Sequence, residues 1–245
     1  MLSTTLDKKI VLCEVNTILA ASIKEHKNYK DSKALLDCIT STNQQDMNFS
    51  GIITPTVKSQ ARNTLSKALH DTLKTKLENL ENRNLNKVYH HITKKLFVEL
   101  LRKLKTCQIS YKLAQKIKKN EITPMYEKIL KKKVGKPIIS LCSSWRLRST
   151  VNRIEKEKKD ALKNHLKRKS IIPGETDKTI LSEAVYLKRE VFQTNKMYLV
   201  SWDKHFSGDN AFYREIPERI RQVFGITCLT PKQLLGELTH CRINN

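Results

Sequence analysis

Apolar positions along this chain of 245 residues fall into two patterns. Some form short continuous runs, and others recur every three or four residues. The first run is KIVLCEV at 9–15, which carries one acid near its end. A continuous run suits a strand buried on both faces, as in parallel sheets. Asn16 and Thr17 then open a helix with Ile18, Leu19, Ile23, Leu35, Leu36 and Ile39 as apolar positions, interrupted by a loop at 24–32. Ile52 and Ile53 read as a second strand. Thr54-Pro55 starts the next helix, because proline is tolerated in a first turn. From Val57 to Leu80 the apolar residues step by three or four, which predicts a long amphipathic helix.

The pattern predicts further helices over 86–106, 109–119 and 124–133, after which Gly135 and Pro137 end the run. KPIISLC at 136–142 is a candidate strand. Residues 148–169 read as a basic helix with local pairs of opposite charge. Then come a helix in ILSEAVYLKREVF, a strand YLVSW at 198–202, a helix near 216–223, a strand ITCLT at 226–230 and a closing helix PKQLLGEL. Short apolar strands alternate with amphipathic helices at both ends of the chain. That alternation predicts an α/β fold with a parallel sheet. The expected division is a core built from 1–83 and 171–245, with a helical insertion at 84–170.

Charge sharpens this division. The chain holds 47 Lys and Arg against 24 Asp and Glu, a net charge of +23. Residues 84–170 contain 25 of the basic residues and only 6 of the acidic ones, so the excess sits in the middle. A local field of that size attracts polyanions, of which nucleic acid is the commonest. Lys131, Lys132, Lys133, Lys167, Arg168 and Lys169 are the candidate phosphate contacts. Trp145, beside Arg146 and Arg148, suits stacking on a base; the other reading is a half-buried anchor for the insertion. No segment is apolar enough to span a bilayer, and the start lacks the form of a secretory signal. None of the six cysteines has CxxC or CxxH spacing, which removes the usual signature of a zinc site. A reduced, cytoplasmic protein is expected, with no membrane partner.

Three acids occupy comparable places. Glu14 ends the first strand, Asp177 starts the helix after the insertion, and Asp203 follows YLVSW. Parallel strands put their carboxyl ends on one side, and helix starts return near it, so the three are placed to converge. Clustered carboxylates repel, and such an arrangement calls for a cation. Hard oxygen ligands favour Mg²⁺ or Mn²⁺, which bind a phosphodiester and activate water.

These segments resemble the PIN domain family of metal-dependent nucleases. The resemblance rests on DKTILSEA, LVSWDKHF and GITCLTPKQLLGEL, and more weakly on Glu14-Val15-Asn16, where the family has Asp-Thr-Asn. It spans roughly 9–65 and 171–240 and gives the basic middle no counterpart. It implies a three-layer α/β/α core and cleavage of RNA by acids that hold Mg²⁺ or Mn²⁺. By position, Glu14, Asp177 and Asp203 would be the metal ligands, and Asn16 and Ser201 would orient them. The family's helix glutamate falls at Gln60, which keeps a polar group but removes a charge. The alternative is a PIN-type RNA-binding or assembly factor with weakened catalysis, and an inhibitory or assembly protein is a further candidate partner. Asn16 also fits a plain helix cap, Glu183 fits either the site or solvent, and His205 reads as a loop residue beside the acid.

Overall fold

The structure is a computed structural model. It describes residues 9–40, 49–77, 83–134, 173–194, 196–208 and 214–243, with isolated helical positions between 153 and 160. The strands are β1 (Lys9–Cys13), β2 (Phe49–Ile53), β3 (Lys105–Thr106), β4 (Met197–Val200) and β5 (Ile226–Leu229). They form one sheet in the order β3-β2-β1-β4-β5. Every pairing is parallel, with Leu12 level with Ile52 on one side and with Leu199 on the other. The fold is therefore α/β with an all-parallel sheet, as the alternation of elements predicted.

Helices make the crossovers that parallel strands require. They are α1 (Val15–Ser22) and α2 (Tyr29–Thr40), then α3 (Pro55–Leu77) and α4 (Arg83–Lys103). Between β3 and β4 lie α5 (Tyr111–Ile117), α6 (Thr123–Val134) and α7 (Glu175–Tyr186). After β4 come the single turn α8 (Lys204–Ser207), α9 (Glu215–Phe224) and the closing α10 (Pro231–Ile243). Ile10, Val11, Leu12 and Cys13 are all buried, although neighbours on a strand point to opposite faces. Both faces of β1 are thus covered, which is why its sequence is continuously apolar.

Residues 84–134, expected as part of an insertion, contribute to this same core. Phe97 and Leu100 of α4 and Leu104 just after it join its apolar cluster, and β3 adds the edge strand. The predicted helix over 86–106 accordingly ends at Lys103 and turns into β3. Gly51 records how closely α2 and α4 approach β2. A Cβ there would stand 2.8 Å from Leu104 Cδ2 and 3.0 Å from Ile39 Cδ1, closer than packed carbon atoms tolerate. The expected strand at 136–142 and most of the basic helix at 148–169 lie outside the described residues. Cys13, Cys107 and Cys228 are buried free thiols. Among the described residues no helix is long and apolar enough to cross a membrane.

Candidate active site

The sheet order fixes where a site belongs. The chain runs outward from β1 through β2 to β3, then returns to the other side of β1 with β4. The strand order therefore reverses between β1 and β4. In open α/β sheets, ligands bind outside the carboxyl ends of the strands at such a reversal. Glu14 follows the last residue of β1, and Ser201 follows the last residue of β4.

A connected set of polar groups fills this edge. The Glu14 N–H donates to the Val200 carbonyl at 3.0 Å, and the Thr17 hydroxyl donates to the same carbonyl at 3.2 Å. These bonds tie the start of α1 to the end of β4. Glu14 caps α1, accepting from the Asn16 N–H at 3.3 Å. The fully buried Ser201 hydroxyl donates to Glu14 Oε2 at 3.1 Å. It accepts from Asn16 Nδ2 at 3.2 Å and from the Asp203 N–H at 2.8 Å. Asn16 Oδ1 accepts from the Trp202 N–H at 3.0 Å. One serine and one asparagine thus fix the relative positions of two acids 189 residues apart, and Asn16 serves the network beyond its place in the first helical turn.

The same arrangement gives a test by mutation. Ser201→Ala leaves the Asp203 N–H and Asn16 Nδ2 without their acceptor in a buried setting. Loss of about 1–3 kcal/mol is expected from unmade bonds of this kind. Ser201→Thr keeps the hydroxyl and should recover most of it. Urea unfolding reads both variants, and equal midpoints for wild type and Ser201→Ala would show that the hydroxyl orients nothing.

Asp203 and Asp177 meet through a histidine. Asp203 caps the turn α8, where its Oδ1 accepts from the His205 N–H at 2.7 Å and pairs with His205 Nδ1, also at 2.7 Å. His205 Nδ1 also stands 3.6 Å from Asp177 Oδ2. Asp177 lies in the first turn of α7 and accepts from the Gly174 N–H at 2.9 Å. His205 is buried, contrary to its reading as a loop residue. Its burial follows from α8 packing against β4, β5 and α9. A capping Asp followed by His two residues later was the available sequence signal. Tyr126 is a second addition. Its hydroxyl is buried with no hydrogen-bond partner, and burial together with Cys228, Asp177 and Asp203 holds its pKa well above the ordinary value.

The electrostatics show that the acids act on one another. Glu14 is pushed up to about 7, first by burial and further by the charges of Asp203 and Asp177, against hydrogen bonds from Asn16 and Ser201 that lower it. Burial and the Asp203 charge likewise raise Asp177. For Asp203, burial works upward, but the hydrogen bonds and charge of His205 outweigh it and the net direction is downward. Two aspartates facing one imidazole are thereby driven apart in acidity, a pattern typical of reactive sites.

Capping alone does not account for Glu14. Serine or asparagine caps a helix equally well and carries no ionisation penalty. A carboxylate only 7% exposed beside two more acids is a costly substitute. Its donor atoms and charge suit a hard divalent cation, which would offset the repulsion. Among the described residues, however, no group of three His, Cys, Asp or Glu side chains stands arranged to hold a metal ion. His205 already occupies the space between Asp177 and Asp203.

The remaining expected residues fall differently. The Gln60 side-chain oxygen is buried without a hydrogen-bond partner, and Gln60 is not a member of the Ser201 network. Glu183 is buried rather than solvated. Its Oε1 accepts from the Thr56 hydroxyl at 2.6 Å, and its Oε2 is buried and unpartnered. Burial raises its pKa despite bonds from Thr54 and Thr56. Lys131, Lys132 and Lys133 lie on α6. Trp145, Arg146, Arg148, Lys167, Arg168 and Lys169 lie outside the described residues.

Comparison with known protein families, curated proteins and solved structures returned no match. The functional reading therefore rests on the geometry above and on the sequence motifs.

Proposed function

We propose that this chain is a PIN-like metal-dependent endoribonuclease whose core is a three-layer α/β/α sandwich. The observation that carries the proposal is Glu14. A buried carboxyl pushed up to about 7 sits at the β1–β4 reversal, linked through Ser201 to Asp203 and coupled by charge to Asp177. Glu14, Asp177 and Asp203 are the residues that would hold Mg²⁺ or Mn²⁺. When bound, the ion supplies a Lewis acid for the phosphodiester and lowers the pKa of the attacking water. The chain's own groups orient these acids: Ser201 and Asn16 hold Glu14 and Asp203, and His205 sets the spacing of Asp203 and Asp177. RNA as substrate follows from the resemblance, and the surplus of Lys and Arg in 84–170 supports a polyanion.

Two observations favour a second reading, an RNA-binding or assembly factor with weakened catalysis. Gln60 is neutral, and no ready-made metal cage stands among the described residues. The deciding experiment is cleavage of a structured RNA with Mn²⁺ or Mg²⁺, comparing wild type with Asp177→Ala and Asp203→Ala. Metal-dependent cleavage lost in both variants supports the nuclease. Binding of RNA without cleavage supports the second reading. In that case Gln60→Glu should restore activity by about tenfold or more, since a recovered anionic group at a metal site contributes at least ~1.4 kcal/mol. An equally inactive Gln60→Glu would remove Gln60 as the cause.

A further inference from the structure

A groove away from the acids lies between α3 and α4 and opens beside β3. It encloses about 850 Å³. Its floor is apolar, with Val98 and Leu101 of α4 reaching its surface above the buried Ala61, Leu65 and Phe97. Its rim is cationic, with Lys58 on α3, Lys94 and Arg102 on α4, and Lys105 on β3. No acidic residue lines it among the described residues.

We infer that this groove docks an acidic amphipathic helix from a protein partner. The shape and the charge select that occupant together. A trough between two helices accepts the apolar stripe of a third, with anchors spaced i, i+3, i+4 and i+7. The four rim cations then face the flanks of that helix, where Asp and Glu complement them. Nucleic acid matches the rim but not the floor. Bases bind by stacking on open aromatic faces, and the Phe97 ring is only 2% exposed. Besides the cations, His90 and Thr106 are the polar side chains on the lining, against the apolar Ala61, Leu65, Val98, Leu101 and Leu104.

The inference is independent of the nuclease reading, because no groove residue belongs to the acid cluster. Its test uses the full chain in EDTA, so that cleavage cannot interfere. The probe is a fluorescein-labelled set of 18-residue amphipathic peptides, with Leu on one face and either Glu or Lys on the flanks. Fluorescence anisotropy should show binding of the Glu-flanked set only. Lys94→Glu with Arg102→Glu should weaken that binding at least tenfold and confer binding of the Lys-flanked set. Leu101→Asp should abolish both, while Leu101→Met, conservative in volume, should retain Glu-flanked binding and so exclude simple misfolding. The inference is overturned if no Glu-flanked peptide binds, or if the charge-reversed protein binds it as well as wild type. It is also overturned if a single-stranded RNA 15-mer displaces the peptide and loses affinity equally in the same variants. The groove would then be a nucleic-acid track.

Discussion

Asp203→Ala should lower metal-dependent RNA cleavage by at least about a thousandfold, the largest loss of any single substitution in the site. A metal ligand contributes several kcal/mol of transition-state stabilisation, and each ~1.4 kcal/mol is tenfold in rate. Asp203 does more than supply charge. Its Oδ1 accepts from the His205 backbone N–H and pairs with the ring's Nδ1, and its own N–H donates to Ser201. Removing the side chain frees His205 to approach Asp177, so a second acid is disturbed along with the first. The helix cap is lost too, at about 1 kcal/mol of stability. Asp203→Asn separates these effects, because it keeps an acceptor for the His205 N–H and deletes only the charge. Single-turnover cleavage of a labelled structured RNA should show both variants equally inactive, with Asp203→Asn retaining the wild-type unfolding midpoint. Cleavage within tenfold of wild type by Asp203→Asn would mean that its charge is not used, and the nuclease proposal would fall with it.

How far these positions could be read from sequence depends on where each gets its environment. β1, β4 and β5 were legible because strands buried on both faces leave continuous apolar runs. β3 was not. Its two residues, Lys105 and Thr106, are exposed and polar, and they directly follow a helix whose apolar spacing runs through Leu104. Nothing local separates such an edge strand from the end of a helix. Glu14, Asp177 and Asp203 were legible because acids at strand ends and helix starts are constrained by topology before any contact is known. His205 and Tyr126 were not, since their burial comes from elements far away in sequence. Tyr126, on α6, is buried and feels the charges of Asp177 and Asp203 from over fifty residues away in sequence. Glu183 was open for the same reason: Thr56, which holds it, lies 127 residues earlier. Reading 84–170 as an insertion followed charge rather than packing. The helix α4 is rich in lysine, yet it buries Phe97 and Leu100 in the core. A helix is basic on its solvent face whether or not its other face belongs to the central domain.

Glu14→Gln should stabilise the metal-free protein at alkaline pH while removing its cleavage activity. In the fold the Glu14 carboxyl is pushed up to about 7 by burial and by Asp203 and Asp177, against an ordinary value of 4.5. A carboxyl raised in the fold is ionised more easily in the unfolded chain. Stability from this group is therefore full below about pH 4.5, declines as pH rises toward 7, and is lost above it. At about 1.4 kcal/mol for each pKa unit, the penalty at pH 8 is roughly 3 kcal/mol. Glutamine cannot ionise and escapes it, although its amide NH₂ then needs an acceptor of its own. That requirement does not change with pH, so comparing two pH values removes it. Urea unfolding should give a Glu14→Gln advantage that is larger at pH 8 than at pH 5 by roughly 2–3 kcal/mol. Added Mn²⁺ should raise the wild-type midpoint at pH 8 and leave Glu14→Gln unmoved, because a ligand stabilises only the form that binds it. An advantage that does not vary with pH would mean that Glu14 is ionised without strain at neutral pH. The carboxyl would then be an ordinary cap, and burying it would no longer argue for a site.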